Sequence, residues 1–521
     1  MRGAVAAGHE ITARAGARAL EEGGNAVDAC VAAAFASWVA ESPLTGPGAG
    51  GFMLVHRGHD RSSRLLDFFV AAPGQGRAKR AAWQMDAVDI PFEGSDTTQR
   101  FLIGHASCAV PGTVAGLAAA HRSYGTLPWH ELLAPAIELA RQGVVLTKAQ
   151  ALLHALLDSV LRHTPEGRAV YGGSGRLLAG ERLVLRDLAG TLEVLAEEGP
   201  DVLYRGELGA AIASHVQEHG GAITRRDLEA YRVIRRRPVE IAYRGHVFES
   251  NPPPSSGGVL VAYGLGLLDR LGPPGPPGSA PELARVLEAL HEQARARDAR
   301  FTRDLYRGGL AGRLLSGASL AEAAGRLEAA GVGRVEIGSP SGTTHISAMD
   351  AGGNAASLSA STGAGSGVVV PGTGIHMNNM LGEYDLQPGG HAPPVGARLT
   401  SMMAPSLVSR EGTPRLALGS AGSVRLRGAV MQVVLNVVGH GLAVDEAITA
   451  SRIHVDGTHV HCEGGHDPAA LDALAAAGYD IIRWRRRNLF FGGVAAVERR
   501  PDGTLSAAGD PRRGGFGVVV Y

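Results

Sequence analysis

A chain of 521 residues, 45% hydrophobic with 74 Gly and 28 Pro, could hold three ordinary domains or one large α/β unit. Lys+Arg and Asp+Glu number 50 each, and the zero formal charge removes the electrostatic case for a nucleic-acid or anionic-membrane partner. Cys30, Cys108 and Cys462 are far apart and odd in number, which argues against a disulfide framework or a CxxC site and predicts a reducing compartment.

Residues 9–22 read as a helix stopped by Gly23-Gly24, with no basic region and apolar core of a signal peptide before it. Asn25 caps a second helix with Asp28 in its first turn and an Ala-rich body to about Val39. The longest apolar run, Ala29 to Ala40, contains Ser37 and is too short to span a bilayer, so a cytoplasmic protein is expected. A Gly-rich bend, Thr45 to Gly51, leads into a strand at Phe52–Val55, and a second strand follows at Arg64–Phe69. From about 112 to 235 the pattern is helical, broken at Pro111-Gly112, Gly143 and Gly172-Gly173. Tyr243–Phe248 reads as one strand, ended by the loop Asn251 to Gly258. The Pro/Gly run at 272–278 must be an exposed loop, and helix resumes from about Pro281 to Ala330. After Thr343 strands dominate: 344–349 and 355–361 flank Asp350-Ala351-Gly352-Gly353-Asn354, a good hairpin turn. Helices before residue 340 and strands after it predict a layered α/β architecture rather than a doubly wound sheet.

Four motifs invite a chemical reading. Gly46 to Gly51 matches GxGxxG, but the order is helix, glycines, strand, the reverse of a dinucleotide site; close backbone packing is the better use. His454, His459, His461, Cys462 and His466 are crowded, yet no paired motif completes a four-ligand set, so edge-strand histidines without a metal are expected. Leu418-Gly419-Ser420-Ala421-Gly422-Ser423 is either an ordinary turn or one whose small residues let backbone N–H groups face a ligand. Leu399-Thr400-Ser401-Met402 puts two adjacent hydroxyls in a loop, solvated or holding a carboxylate or carbonyl oxygen.

The most informative stretch is Gly342-Thr343-Thr344-His345. Cleavage between Gly342 and Thr343 would put a hydroxyl nucleophile and a free α-amine on one residue. Such an amine titrates near pH ~7.7–8.0 and can take the hydroxyl proton. Thr-Thr at a strand start is also ordinary β-propensity.

In this order the pieces resemble the gamma-glutamyltransferase family over residues 8–515. The matching residues are Gly23-Gly24-Asn25-Ala26-Val27-Asp28, Gly50-Gly51-Phe52-Met53, Leu66-Asp67-Phe68 and Val110-Pro111-Gly112. They continue through Leu127-Pro128-Trp129, Tyr204-Arg205-Gly206, Asn251 to Gly258, Thr343-Thr344-His345, Asn378-Asn379 and Asp510 to Gly515. The resemblance implies an αββα N-terminal-nucleophile sandwich made as one precursor. It would cut itself into a large subunit, 1–342, and a small one, 343–521, which stay together as a heterodimer. Thr343 would then attack a small-molecule amide with no metal or cofactor, and water or an amine would resolve the acyl-enzyme. Ser361 stands where the family has a supporting Thr hydroxyl, and Gly422 and Ser423 stand at the oxyanion-hole N–H pair.

The departures fall on the substrate pocket. Phe69 stands where the family pairs an Arg with the substrate α-carboxylate; such charge-assisted contacts are worth about 1.5–3 kcal/mol each. The family's Asn becomes Gly363 and its Gln becomes Met380, while Glu383 keeps an acidic charge and Thr400 and Ser401 keep the hydroxyl pair. A less zwitterionic, more apolar acyl group is expected. Within the resemblance, a glutathione-like substrate, a small amide such as oxamate, a β-lactam acyl side chain and a catalytically silent binding relative remain the alternatives.

Overall fold

The computed structural model describes residues 1–76, 84–91, 98–329, 342–383, 386 and 393–521. Two antiparallel sheets stack face to face. The first has seven strands in the order Phe516–Val520, Gly3–Ala7, Gly342–Asp350, Ala355–Gly363, Gly50–Arg57, Ser62–Phe68 and Ile234–Arg236. The second has six, in the order Leu505–Gly509, Gly493–Arg499, Thr413–Ala421, Ser406–Arg410, His246–Ser250 and Val239–Tyr243. Both sheets contain strands from before and from after position 342, so a cut there divides the chain without dividing the sandwich.

Period-two alternation sorts each strand between two cores. On Ala355–Gly363, Ala356, Leu358 and Ala360 face the helix Ala26–Ala40, whereas Ala355 joins the core between the sheets. Every residue of Ala26–Ala40 is buried, since it packs against the first sheet on one side and the helix Trp129–Gln142 on the other. Its start is fixed as the sequence predicts: the Asn25 side chain accepts from Val27 and Asp28 N–H, and Asp28 reaches back to the Asn25 N–H. On the far face of the second sheet the helices Gly257–Arg270, Ala280–Arg295 and Leu426–Val434 enclose a third core. Helix, sheet, sheet, helix is the αββα order expected.

The structure corrects two sequence expectations. Residues 243–248 are not one strand but the end of Val239–Tyr243, a two-residue turn and the start of His246–Ser250. The turn is Arg244-Gly245, both left-handed at φ 50° and 72°; Arg rarely adopts this conformation, so the sequence hides the reversal. His459–Cys462 is not an edge strand but the middle of a small three-stranded sheet, between Ile453–Asp456 and Asp480–Arg483. Between residues 272 and 278 the chain is a loop, as expected. The helical stretch expected from about Pro281 to Ala330 is four helices, Ala280–Arg295, Ala299–Arg307, Leu310–Leu314 and Gly317–Ala329, and residue 330 lies outside the described residues. Among the described residues no helix is long and apolar enough to cross a membrane.

Candidate active site

Thr343 sits at an irregularity in the ladder. Gly342 pairs with Gly363 but Thr344 with Ala360, a register shift that takes the Gly342–Thr343 peptide out of regular sheet geometry. Only glycine fits before it: a Cβ at 342 would lie 2.6 Å from the Gly363 carbonyl oxygen and 3.0 Å from a Leu44 methyl. The Ser361 hydroxyl donates to the Gly342 carbonyl oxygen, while the Gly363 N–H donates to Ser361 Oγ at 2.8 Å. A relay of donors therefore ends on the carbonyl that Thr343 would attack. Thr343 and Ser361 are each 2% exposed.

Alternation separates the neighbours of Thr343. His345 points between the sheets, its Nδ1 2.8 Å from Ser359 Oγ and its Nε2 2.9 Å from Ser347 Oγ. Gly419 of the facing sheet makes room for it, since a Cβ there would lie 2.3 Å from the imidazole. Burial pushes the His345 pKa down to about 3, so the ring is neutral and serves as a structural hydrogen-bonding group. Ser347 and Ser357 donate across the gap to the Ala495 and Leu418 carbonyls, which locks the two sheets together.

Thr344 points the other way, and its hydroxyl donates to Glu41 Oε2 at 2.6 Å; Thr12 donates to Oε1 at 2.7 Å. Burial raises the Glu41 pKa, and the two hydroxyl donors only partly oppose it. Arg513 shares a cavity with Glu41, Thr343 and Thr344, and burial pulls its pKa down to about 10. Sequence reasoning assigned Glu41 no role, and 303 residues separate it from Thr344.

A second cavity opens from the other side of Thr343. It is lined by Ser361, Phe69, Met380, Glu383, Leu386, Ser401, Met402, Met403, Ser423 and Leu426. It thus gathers seven of the candidate residues: Thr343, Ser361, Phe69, Met380, Glu383, Ser401 and Ser423. Glu383 is the only ionisable side chain among these lining residues. Phe69 stacks on Phe52, with centroids 5.3 Å apart and planes 18° from parallel. The nearby guanidinium of Arg398 is engaged elsewhere, pairing with Asp67 at 3.4 Å and lying 4.3 Å over the Tyr231 ring.

The remaining candidates stand behind this lining. Gly363 is left-handed, at φ 73°, and a Cβ there would meet Asn379 Oδ1 at 2.1 Å and Glu383 Oε1 at 2.9 Å. Those two oxygens instead accept the Ala364 N–H, at 2.9 and 3.0 Å, which holds Glu383 at the cavity wall. Thr400 is buried beside Ser401, and its hydroxyl has no hydrogen-bond partner among the described residues. Gly422 and Ser423 both have positive φ, 125° and 55°, and the chain then enters a 3-10 turn, Ser423–Arg425, and the helix Leu426–Val434. A non-glycine residue in that conformation is strained, as is common where a backbone is shaped for a site.

Surrounding loops brace these walls. The Ser401 carbonyl accepts from the Ser255 hydroxyl at 2.9 Å and the Ser256 N–H at 2.9 Å, and Asn251 Nδ2 donates to the Met403 carbonyl at 3.0 Å. The GxGxxG glycines are used for close approach: a Cβ at Gly48, Gly50 or Gly51 would lie 2.3–2.6 Å from backbone atoms of His376, Val70 or Ser359. The histidines of the small sheet have other partners, with His459 2.7 Å from Asp480 and His461 Nδ1 accepting from Trp484 at 3.1 Å.

The sequence profile described as Gamma-glutamyltranspeptidase matches residues 12–520. The chain belongs to this family. It is 33% identical to the acylase ACY 1 proenzyme of Pseudomonas sp. strain SE83, over 100% of this chain and 94% of that one. It is 31% identical to the glutathione hydrolase proenzyme of Escherichia coli strain K12, over 98% and 90%. Among solved structures, the cephalosporin acylase from Bacillus halodurans superposes with a TM-score of 0.86 at 26% identity, covering 99% of this chain and 95% of that one. The chain is therefore an enzyme of the gamma-glutamyltranspeptidase family, whose members hydrolyse or transfer acyl groups from amides; its relatives include both glutathione hydrolases and acylases.

Proposed function

We propose that the chain is a self-processing N-terminal-threonine amidohydrolase whose acyl pocket takes a group less zwitterionic than γ-glutamyl. The observation that carries the processing step is the Ser361 hydroxyl bonded to the Gly342 carbonyl oxygen at the irregular peptide before Thr343. Thr343 Oγ1 attacks the Gly342 carbonyl carbon, and negative charge grows on the oxygen that Ser361 already contacts. The C–N bond breaks, the nitrogen takes the proton that left the hydroxyl, and an ester joins Gly342 to Thr343. Water hydrolyses the ester, leaving a carboxylate on Gly342 and a free amine on Thr343.

In turnover that amine accepts the Thr343 hydroxyl proton as the oxygen attacks the substrate amide. The tetrahedral oxyanion is held by the Gly422 and Ser423 N–H groups, and the leaving amine departs with the proton. Water then attacks the acyl-enzyme, giving a carboxylic acid and regenerating Thr343. Subunits 1–342 and 343–521 remain one particle, because both contribute strands to each sheet.

The pocket supports the substrate reading. Phe69, Met380, Leu386, Met402, Met403 and Leu426 make it largely apolar, and among the described residues no cation lines it to meet an α-carboxylate. The name of the cephalosporin acylase neighbour supports a β-lactam acyl side chain. Glu383 and the Ser401 hydroxyl favour a second reading, glutathione hydrolysis, since a carboxylate there would suit an α-amine. Denaturing electrophoresis should resolve two fragments from the wild type and one intact chain from Thr343→Ala; an intact, fully active wild type would refute the threonine mechanism. Hydrolysis of a γ-glutamyl anilide should lag that of β-lactam amides with apolar side chains; the reverse order would overturn the pocket argument.

A further inference from the structure

Away from Thr343, three histidines that sequence reading did not connect come together. His105 opens the short turn His105–Ser107 after the strand Thr98–Ile103. His215 and His219 lie four residues apart, at the end of the helix Glu207–Glu218 and its cap, and so share one face. One potential ligand atom from each lies within 4.8 Å of the other two.

The geometry goes beyond proximity. His105 Nε2 and His215 Nε2 are 3.3 Å apart. Tetrahedral coordination with metal–nitrogen bonds of about 2.0 Å demands nearly that separation between ligand atoms. His219 Nδ1 lies 2.9 Å from the His215 carbonyl oxygen. That bond requires the proton on Nδ1, which leaves the Nε2 lone pair for a metal and fixes the ring in the manner of metal-ligating histidines. Glu166 interacts electrostatically with both His105 and His215, offering a counter-charge at the site.

We propose that His105, His215 and His219 bind one zinc-class divalent cation through three imidazole nitrogens, with water in the fourth position, and clamp the helix Glu207–Glu218 to the turn His105–Ser107. Three neutral nitrogen donors suit zinc or a similar transition metal and do not suit calcium or magnesium, which require oxygen. The clamp would stiffen a support of the acyl cavity. The Ser107 carbonyl accepts the Leu381 N–H at 3.0 Å, and Leu381 follows Met380 of the cavity wall. The proposal is independent of the threonine mechanism.

Tag-free, chelator-stripped full-length enzyme titrated with Co(II) tests it. The expected result is one Co(II) per chain, with the intense visible bands of tetrahedral coordination, displaced by Zn(II). Loss of a second-shell partner typically weakens a metal site ~10–100-fold, so His215→Asn and His219→Gln, each removing a direct ligand, should weaken binding by at least ~100-fold. His219 is exposed, so its replacement should leave the fold intact. His459→Gln, in the other histidine-rich region, should leave binding unchanged. Zn(II) should raise the melting temperature of the wild type but not of His219→Gln. Absence of tetrahedral bands, or equal binding by wild type and His219→Gln, would overturn the site.

Discussion

Thr343 lies between two cavities that differ in the charged groups lining them. One contains Glu41, Asp510 and Arg513 together with His9 and Gln150; the other is walled by Phe69, three methionines and two leucines, with Glu383 the lone ionisable group among its described lining residues. The charged side meets strand Gly342–Asp350 through Thr344, and the apolar side meets it through Thr343 and Ser361. This division separates two tasks. Buried charges hold the strand in place, where partners can be fixed once for all substrates, while the side that receives the acyl group is left free to change its lining. Family relatives named for different substrates fit this separation, because recognition can change without disturbing the machinery around the nucleophile.

The largest effect that would break the comparison concerns the shared boundary. Ser361→Ala removes the donor on the Gly342 carbonyl and leaves the Gly363 N–H without its acceptor. Loss of one preorganised oxyanion donor costs roughly 10²–10³ in rate. Self-cleavage, followed by electrophoresis over time, should slow by about that factor, while Ser361→Thr should restore most of it. Unchanged cleavage in Ser361→Ala would mean that the hydroxyl is only a strand contact.

On the apolar side, Phe69→Arg should sharpen the comparison. A guanidinium there would restore a charge-assisted contact to an α-carboxylate, worth about 1.5–3 kcal/mol. Specific activity toward a γ-glutamyl anilide should rise ~10–100-fold, with a matching fall for apolar acyl groups. If both activities merely decline, Phe69 is a packing residue and the stack on Phe52 is what it provides.

Much of this arrangement was legible in the sequence because it is local. The Asn25 cap, the glycine-paved bend and the hairpin turning at Asp350 to Asn354 each announce themselves within a few residues. What could not be read was either conformationally atypical or long-range. Arg244 turns a hairpin in a conformation arginine avoids. Glu41 meets Thr344 across 303 residues, and His105 meets His215 across 110. The histidines densest in sequence, around His459 and His461, take unrelated partners instead.

The smallest expected effect probes His345, two residues from Thr343, whose ring lies between the sheets. Its folded pKa is lowered to about 3 by burial, against an ordinary value of 6.5. Below pH 6.5 the unfolded chain takes up a proton that the native ring refuses. The stability His345 contributes is therefore complete above pH 6.5 and is lost progressively as pH falls towards 3, by at most about 1.4 kcal/mol per pH unit. His154, His376 and His461, each lowered by burial to about 4, act in the same direction, while Glu249, raised by burial to about 7, acts in the opposite one. Urea midpoints at pH 7 and pH 5.5 measure the loss. In His345→Asn, whose amide can still bond to Ser359 but does not titrate, the loss over that interval should shrink by about 1 kcal/mol, with the other histidines and Glu249 setting the remainder. An identical loss in wild type and variant would mean that the ring titrates normally in the folded protein, and that water reaches the gap between the sheets.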